Sequence, residues 1–335
     1  MTAVIGLREL GALARRPLAG VVSPFDGSPY VLLRLDESAT GPAGEADPAM
    51  VRWLHRQPCP VIAIAEAGAH EDLQRACDVV VAEPADLEPV LRNVHDSPLA
   101  AMVLVQVLRV TERLPVEQAL VVESLAFATL QGGPEFRRWL DGRPPPRTTV
   151  DGSAGPAVVV ERHGDDVAIR LNRPSRRNAL SVEMRDALYE ALELVAADST
   201  IQTARVSGNG RCFSSGGDLE EFGTAPDPAS AHAVRSLRLP AGALLQCIDR
   251  VEFRLHGACV GAGAELPAFA RRVCAQRDTY FQLPEIRLGL IPGAGGCVSI
   301  PRRIGRRRTA YMALSAARID VQQALAWGLV DAIVD

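Results

Sequence analysis

Two glycine-rich turns in the C-terminal half each lie beside a glutamate. The first is Gly-Ala-Gly-Ala-Glu at 261–265, and the second extends from Pro284-Glu285 to Gly296. Residues with little or no side chain let a ligand come close to backbone N–H groups. A neighbouring carboxylate then supplies a general acid or base beside an anion-binding backbone. This pattern suits chemistry in which a thioester carbonyl becomes an enolate while a proton moves, and two carboxylates allow one acid and one base.

Composition excludes several classes of protein. The chain has 335 residues, which predicts two domains or one large domain with an extension. An apolar content of 47% is enough for a core and argues against global disorder. The net charge of −4 argues against nucleic acid as the main partner. The sequence shows neither an apolar run approaching about 18 residues nor a signal-peptide pattern, so we expect no membrane segment and a cytoplasmic location.

The cysteines and basic residues limit the possible chemistry. Seven cysteines without a CxxC spacing predict reduced thiols, and hence neither disulfides nor a zinc site. We expect no metal and no tightly bound cofactor. All 36 basic residues are arginine, so Schiff-base chemistry and a phosphate-loop lysine are excluded. Any phosphate must be held by arginine and backbone N–H groups.

A proline- and glycine-rich stretch at 142–156 predicts a linker. Before it, residues 85–141 have helical periodicity, with apolar positions at Leu99, Val103, Val107 and Val110. Further helices are predicted from about 116 to 130 and from 134 to 140. The predicted division of the chain is 1–84, 85–146 including part of the linker, and 147–335.

The flanking regions mix strands and helices. Short β-type runs occur at 30–35, 60–65 and 78–82, with a helical stretch near 50–55. After the linker, the pattern predicts a hairpin at 157–161 and 166–171, a helix capped by Ser181 and a strand at 202–207. Alternation of strands and helices continues to residue 335, which indicates an α/β fold with layered sheets.

Four motifs occur in order along the C-terminal half. They are Leu171-Asn172-Arg173-Pro174 with Asn178-Ala179-Leu180, Phe213 with Gly216-Gly217-Asp218-Leu219, His256-Gly257 with residues 261–266, and Phe281 with Pro284-Glu285 through Gly296. Together they resemble the enoyl-CoA hydratase/isomerase (crotonase) superfamily over roughly residues 157–335. The resemblance implies a crotonase-like (ββα) spiral core.

The same resemblance implies an unusual order of segments. Family chains continue beyond the equivalent of 328–331 with further helices, which residues 85–141 resemble. Residues 53–82 resemble a degenerate copy of the family's strand–turn–helix segment, with Glu-Ala-Gly-Ala at 66–69 in place of the glycine-rich turn. We therefore predict a duplicated, circularly permuted chain whose N-terminal half supplies a helical segment to the catalytic core and has lost its own oxyanion site.

The resemblance assigns roles to particular residues. It implies hydration of a 2-enoyl-CoA thioester, with the N–H groups of Gly217 and Ala262 stabilising the thioester oxygen. By the same analogy, Glu265 activates the attacking water and Glu285 exchanges the proton at C2. The Gly293 N–H helps to place the water.

Binding of coenzyme A, as part of the substrate, is implied at one loop. Family members commonly contact the nucleotide of coenzyme A through the loop that contains Arg173, Arg176, Arg177 and Ala179 here. Three arginines on one loop are also compatible with a solvated surface. Residues 306–308, three further arginines, are expected to form an exposed helix start. Relatives in this family are usually trimers or paired trimers, which implies a homo-oligomer.

Alternatives remain open at this point. A double-bond isomerase or another crotonase-type lyase would keep the oxyanion site and change the acids and bases; two glutamates favour a hydratase. A catalytically idle scaffold is the alternative from another class. Asp218 is expected to cap a helix, and His256 and the cysteines beside the motifs are expected to be structural.

Overall fold

The computed structural model describes residues 4–16, 22–25, 27–35, 47–66, 68, 70–144 and 155–335. Most of the predicted linker, and residues 67 and 69 of the replaced turn, therefore lie outside the described residues. Helices and strands alternate through both halves of the chain. Among the described residues, no helix combines the length and the apolar character needed to span a bilayer.

The N-terminal unit is a four-stranded parallel sheet with helices between its strands. Its strands are β1 (Val4–Gly6), β2 (Val31–Leu35), β3 (Val61–Ala65) and β4 (Val79–Val81), and its helices are α1 (Leu7–Ala14), α2 (Pro48–His55) and α3 (Glu71–Ala76). The strand order is β1-β2-β3-β4. Strands β2 and β3 are buried along almost their whole length because a parallel sheet is covered on both faces. The β-type runs and the helix near 50–55 are confirmed.

Four helices follow the N-terminal unit. They are α4 (Pro84–Asp96), α5 (Pro98–Thr111), α6 (Val116–Gln131) and α7 (Pro134–Asp141). A proline in the first turn begins α4, α5 and α7, where its missing N–H costs no helical hydrogen bond. The helices predicted at 116–130 and 134–140 are confirmed.

The C-terminal half contains two sheets. The larger has the order β13-β10-β8-β7-β6-β5, and the smaller has the order β12-β11-β9. Their strands are β5 (Val158–His163), β6 (Asp166–Leu171), β7 (Thr203–Gly208), β8 (Val251–Leu255), β9 (Ala258–Val260), β10 (Arg272–Gln276), β11 (Tyr280–Gln282), β12 (Ile319–Asp320) and β13 (Ala332–Val334). The helices are α8 (Val182–Ala197), α9 (Pro228–Arg238), α10 (Pro240–Leu245), α11 (Ala262–Glu265), α12 (Gly296–Ile304), α13 (Arg306–Ser315) and α14 (Val321–Trp327).

The two halves share a strand order. In the larger sheet, β5 pairs antiparallel with β6 as the predicted hairpin, and the remaining neighbours are parallel and follow chain order from β6 to β13. Strands β1 to β4 follow chain order in the same way. The residues described before position 85 contain no counterpart of the smaller sheet. This likeness supports the predicted duplication, which remains a prediction.

Helices α4 to α6 pack against the C-terminal half. The Asn93 side-chain amide on α4 donates to the carbonyls of Leu314 (2.8 Å) and Ser315 (3.0 Å) at the end of α13. Thr111 at the end of α5 donates to the Cys297 carbonyl of α12 at 3.0 Å. Helical spacing predicts that Val121 and Leu125 of α6 also pack against the core, but each is 49% exposed. Both positions face away from the core.

The N-terminal unit is joined to the C-terminal half through a buried aspartate. Asp78, which is 1% exposed, pairs with Arg109 of α5 and Arg306 of α13, each with an N–O distance of 2.8 Å to Oδ1. The expectation of an exposed helix start at 306–308 is therefore wrong for Arg306, because this ion pair buries its side chain. Arg307 and Arg308 are exposed as expected.

One continuous apolar cluster extends through all three regions. It includes Leu32 and Val81 from the N-terminal sheet, Leu104, Leu108 and Phe127 from the helices, and Val298, Ile300 and Leu314 from the C-terminal half. Fully burying one such side chain contributes about 1.5–3 kcal/mol. Residues 155–335 consequently have a large apolar surface that only the preceding residues cover.

A fragment of residues 155–335 is therefore expected to be insoluble or unfolded when expressed alone. Co-expression of residues 1–144 supplies the covering helices in trans and is expected to restore soluble protein, measured by circular dichroism and gel filtration. A soluble, cooperatively melting 155–335 fragment would contradict the packing argument and the predicted permutation.

Candidate active site

Two glycine turns lie directly against each other at the end of the smaller sheet. The Val260 N–H donates to the Ser214 carbonyl at 3.1 Å, and Ser214 and Cys259 form a parallel bridge. Gly216 has a φ of +87°, and a Cβ there would lie 2.7 Å from the Val260 carbonyl oxygen. Only glycine fits that conformation and that spacing. The turn that contains Gly217 is thereby held beside the turn at 261–263.

The two predicted oxyanion donors point their N–H groups at no protein acceptor. In the described part of the chain, neither Gly217 nor Ala262 donates a backbone hydrogen bond. Ala262 is the first residue of α11, where helix geometry leaves an N–H group without an intrahelical partner. Both groups remain available to a negatively charged oxygen.

A buried asparagine fixes the segment that leads into the turn containing Gly217. Asn178 is fully buried, and its side-chain NH₂ donates to the carbonyls of Asn209, Cys212 and Phe213 at 2.9–3.2 Å. Its Oδ1 accepts from the Arg173 N–H at 2.9 Å. The sequence contained this residue within a motif, but no role was assigned to it. Asn178 has a positive φ, which asparagine tolerates better than most residues. An asparagine inside a loop motif is therefore the sequence feature that could have identified it.

Glu265 is held by the backbone of the second glycine turn. Its carboxylate is 2% exposed, and Oε2 accepts from the N–H groups of Ala294 (2.7 Å) and Gly296 (2.8 Å). Burial raises the pKa of Glu265 to about 7, although the N–H groups of Ala294, Gly296 and Gly293 oppose that rise. A carboxyl that titrates near neutral pH can act as a base.

The carboxyl groups of Glu285 and Glu265 both lie close to Gly261. Its Oε1 lies 2.6 Å from the position that a Cβ on Gly261 would take, and Glu265 Oε1 lies 3.8 Å from that position. Gly261 has a φ of +50°, so both its conformation and its surroundings require glycine. Within the described residues, Glu285 Oε2 is buried without a hydrogen-bond partner. Burial, and then the negative charges of Glu265 and Glu123, raise the pKa of Glu285 well above its ordinary range.

A third carboxylate, which the sequence analysis missed, comes from α6. Glu123 is 1% exposed, and its two oxygens accept from the N–H groups of Gly295 and Cys297, each at 2.7 Å. Burial raises the pKa of Glu123 well above its ordinary range, and the charge of Glu265 adds to that rise. The sequence does contain one feature that marks Glu123. It is a charged residue on the apolar stripe of a helix, three positions after Leu120 and four before Phe127.

The structure separates the three arginines of the candidate coenzyme A loop. Arg173 is 8% exposed and pairs with Glu183. Arg176 pairs with Asp218 at 2.9 Å, while the Arg177 side chain is exposed. Arg173 and Arg176 therefore hold the loop in place, and Arg177 presents its charge to solvent.

The remaining motif residues have structural contacts. Ala179 is partly buried, and its N–H donates to the Arg176 carbonyl at 3.1 Å. The Asp218 side chain accepts from the Glu220 N–H at 3.1 Å and caps the following turn, as predicted. His256 contacts the Gly210 carbonyl oxygen at 2.9 Å, a contact compatible with the expected structural role. All seven cysteines are buried free thiols.

A cavity of about 1740 Å³ lies elsewhere, between the N-terminal unit and the start of α13. Its lining includes Arg52, Arg113 and Arg307, but not Glu123, Glu265 or Glu285. This cavity is therefore separate from the space beside Glu265.

Comparisons with known proteins match the C-terminal half. The family model described as enoyl-CoA hydratase/isomerase matches residues 164–335. The chain is 35% identical over 174 residues to 2,3-dehydroadipyl-CoA hydratase of Escherichia coli, covering 52% of this chain and 67% of the relative. It is 34% identical over 173 residues to 1,2-epoxyphenylacetyl-CoA isomerase of the same organism, covering 50% and 66%. The chain thus spans about two thirds of the length of these curated relatives.

A solved structure agrees with the sequence matches. A crystal structure of an enoyl-CoA hydratase/isomerase from Mycobacterium paratuberculosis is 28% identical with a TM-score of 0.50, and the match covers 54% of this chain and 74% of that chain.

The buried carboxyl of Glu285 is expected to reduce stability as pH rises. Its pKa is raised in the folded state, so unfolding releases its proton at any pH between the ordinary and the raised value, and stability falls with pH across that window. Glu285→Gln has no proton to release. The melting temperature of this variant should exceed that of the wild type by roughly 2–4 °C near pH 8, and by less near pH 5.

The control is Glu161→Gln. Glu161 is exposed, and Arg170 lowers its pKa, so its contribution is complete above the ordinary pKa and should not change between about pH 5 and pH 8. A melting-temperature difference for Glu285→Gln that stays constant with pH would contradict the assignment of a protonated, buried Glu285.

Proposed function

The chain belongs to the enoyl-CoA hydratase/isomerase family, and we propose that it adds water across the C2=C3 double bond of a 2-enoyl-CoA thioester. Its fold is the mixed α/β crotonase fold that the sequence predicted. The observation that supports hydration is the convergence of Glu265 and Glu285, both buried, on the space beside Gly261. The coenzyme A moiety would be part of the substrate, with no other cofactor tightly bound.

The first requirement of the reaction is to stabilise charge on the thioester oxygen. Attack at C3 moves an electron pair through C2 to that oxygen, which becomes an enolate. The N–H groups of Gly217 and Ala262 are proposed to donate to it, since neither has a protein acceptor among the described residues. Losing one such donor costs roughly 3 kcal/mol of transition-state stabilisation. Ala262 adds the positive end of a short helix.

The two glutamates differ in protonation, which divides their roles. A pKa of about 7 leaves Glu265 partly ionised at neutral pH, while the pKa of Glu285 is raised well above its ordinary range, which favours its protonated form. In the proposed step, Glu265 takes a proton from water as the O–C3 bond forms, and Glu285 delivers a proton to C2 as the enolate collapses. The Gly293 N–H, which also faces Glu265, would help to place the water.

Isomerisation is the alternative within the family. One relative is an isomerase by name, and moving a double bond requires the same enolate stabilisation without an attacking water. Two buried carboxyl groups favour hydration, because Glu265, with a pKa of about 7, can act as the base while the raised pKa of Glu285 suits it to act as the acid.

The coenzyme A phosphates are proposed to bind near Arg177 and Ala179. Arg177 has an exposed guanidinium and no ion pair with any described residue. Arg173 and Arg176 would act indirectly, through their pairs with Glu183 and Asp218, by holding the loop.

A homo-oligomer, trimeric or hexameric, is also proposed. Val121 and Leu125 lie one turn apart on α6, and each is 49% exposed. These two side chains would form part of the contact between subunits.

Replacement of either catalytic candidate should reduce activity strongly. Glu265→Gln and Glu285→Gln are each expected to lower kcat by roughly 10²-fold or more, the scale of a lost general acid or base. The measurement is loss of the conjugated absorbance of crotonyl-CoA. The wild-type rate should rise as pH passes about 7, because Glu265 must be ionised, and fall at higher pH as Glu285 loses its proton.

The exposed Glu190→Gln serves as the surface control. Near-normal turnover in either active-site variant would contradict the two-glutamate mechanism. If the wild type instead converts a 3-enoyl-CoA into the conjugated 2-enoyl-CoA and forms no hydrated product, the isomerase alternative is correct. No turnover of either substrate would favour the idle scaffold.

Acyl-CoA is expected to raise the melting temperature, because a ligand that binds only the native state stabilises it, by about 2.7 kcal/mol at 100-fold excess over Kd. Arg177→Gln should weaken this effect for both free coenzyme A and acyl-CoA. Arg277→Gln is the matched control, since Arg277 is also an exposed arginine but lies on another part of the surface. If neither ligand shifts the wild-type melting curve at millimolar concentration, the coenzyme A assignment is wrong.

A further inference from the structure

We propose that Glu123 is a positioning residue of this active site: by holding the N–H groups of Gly295 and Cys297, it fixes the loop whose other N–H groups orient Glu265. The proposal rests on the proposed function in taking Glu265 as the base. It adds that the helical segment before the linker is part of the catalytic arrangement and more than a cover for the core.

The hydrogen bonds of the two carboxylates alternate along the loop. The N–H groups of Ala294 and Gly296 donate to Glu265, while those of Gly295 and Cys297, between and after them, donate to Glu123. Four successive N–H groups are thus divided between two carboxylates. Any rotation of the loop that releases one carboxylate also misdirects the N–H groups held by the other.

Apolar contacts of α6 support the same loop. Leu120, Glu123 and Phe127 lie on one face of α6, at spacings of three and four residues. The Phe127 ring lies against Gly293 so closely that a Cβ there would overlap it, and Leu120 lies 3.5 Å from the Cβ position of Gly295. The loop therefore has contacts with α6 on both sides of the Glu123 hydrogen bonds.

Several charged or titratable groups surround Glu123. They are Glu265 on α11, Glu285, Cys297 on α12 and Arg235 on α9, with His232 of α9 bonded to the neighbouring Ser124. Arg235 stacks on the Phe127 ring at 4.4 Å and partly offsets the buried negative charge. The charge of Glu123 contributes to the raised pKa of Glu285. At the high pH where Glu123 is itself ionised, removing its charge therefore lowers the pKa of Glu285.

Glu123→Gln tests the proposal with little change in volume. An amide NH₂ cannot accept from an N–H group, so at least one of the two bonds to the loop is lost. We expect kcat for crotonyl-CoA to fall at least tenfold with KM within about twofold of the wild type. The high-pH limb of the rate profile should move to lower pH, because Glu285 loses its proton more easily.

Glu135→Gln is the matched control. Glu135 is also buried, and its two oxygens accept from the first-turn N–H groups of Leu99 and Ala100 on α5, at 2.7 and 2.9 Å. It is thus the same kind of cap on a helix of the same segment, without contact to the loop at 293–297. A comparable loss of melting temperature is expected in both variants, but a lower kcat and a shifted pH limb only in Glu123→Gln.

Amide-resolved hydrogen exchange separates this proposal from the proposed function. In Glu123→Gln, exchange should accelerate at least tenfold at Ala294 and Gly296, which donate to Glu265 and not to the mutated residue; Glu135→Gln should leave both unchanged. This measurement needs no substrate, so it stands even if the wild type hydrates no enoyl-CoA. Unchanged protection of Ala294 and Gly296, or equal loss of kcat in the two variants, would overturn the role of Glu123.

Discussion

The candidate active site depends on how a short row of backbone N–H groups, before and within the first turn of α12, finds hydrogen-bond acceptors. Such groups have no partner inside their own helix, and here they lie far from solvent. Glu265 and Glu123 accept from them at 2.7–2.8 Å. The N–H groups offset part of the cost of burying two carboxylates, and the carboxylates satisfy donors that burial would otherwise leave unpaired. The buried carboxylates and the buried N–H groups therefore stabilise each other.

This mutual dependence explains why the site titrates near neutral pH. Burial alone would keep every carboxyl protonated, and full solvation would leave every one ionised. Backbone N–H groups limit the rise of the Glu265 pKa to about 7, whereas burial and the charge of Glu265 raise the pKa of Glu285 well above its ordinary range. The hydrogen bonds of the two carboxyls beside Gly261 therefore differ: Glu265 accepts from backbone N–H groups, and Glu285 Oε2 accepts from no described residue.

Local sequence patterns predicted most of the elements, because helix periodicity, proline starts and β-type runs depend on neighbouring residues. The glycine turns were also predictable. Gly216 and Gly261 have positive φ values and close neighbours, which only glycine accommodates, so the requirement is visible in the sequence. Contacts between distant segments were not predictable in this way. Glu123 accepts a hydrogen bond from Gly295, which is 172 positions away in the sequence. Arg173 is buried in an ion pair with Glu183. Neither contact follows from local spacing. Val121 was misplaced because α6 is apolar on more than one face.

The separation between Glu123 and its loop also bears on the order of segments in the chain. Loop closure costs grow only logarithmically with length, at about 0.6 kcal/mol for each doubling. Moving a helical segment from one end of a core to the other therefore changes the entropy of folding by little. Losing the contacts of that segment would expose apolar surface across α12 and leave the Gly295 and Cys297 N–H groups unpaired. The stability of this fold therefore depends far more on the contacts of the helical segment than on its position in the covalent order.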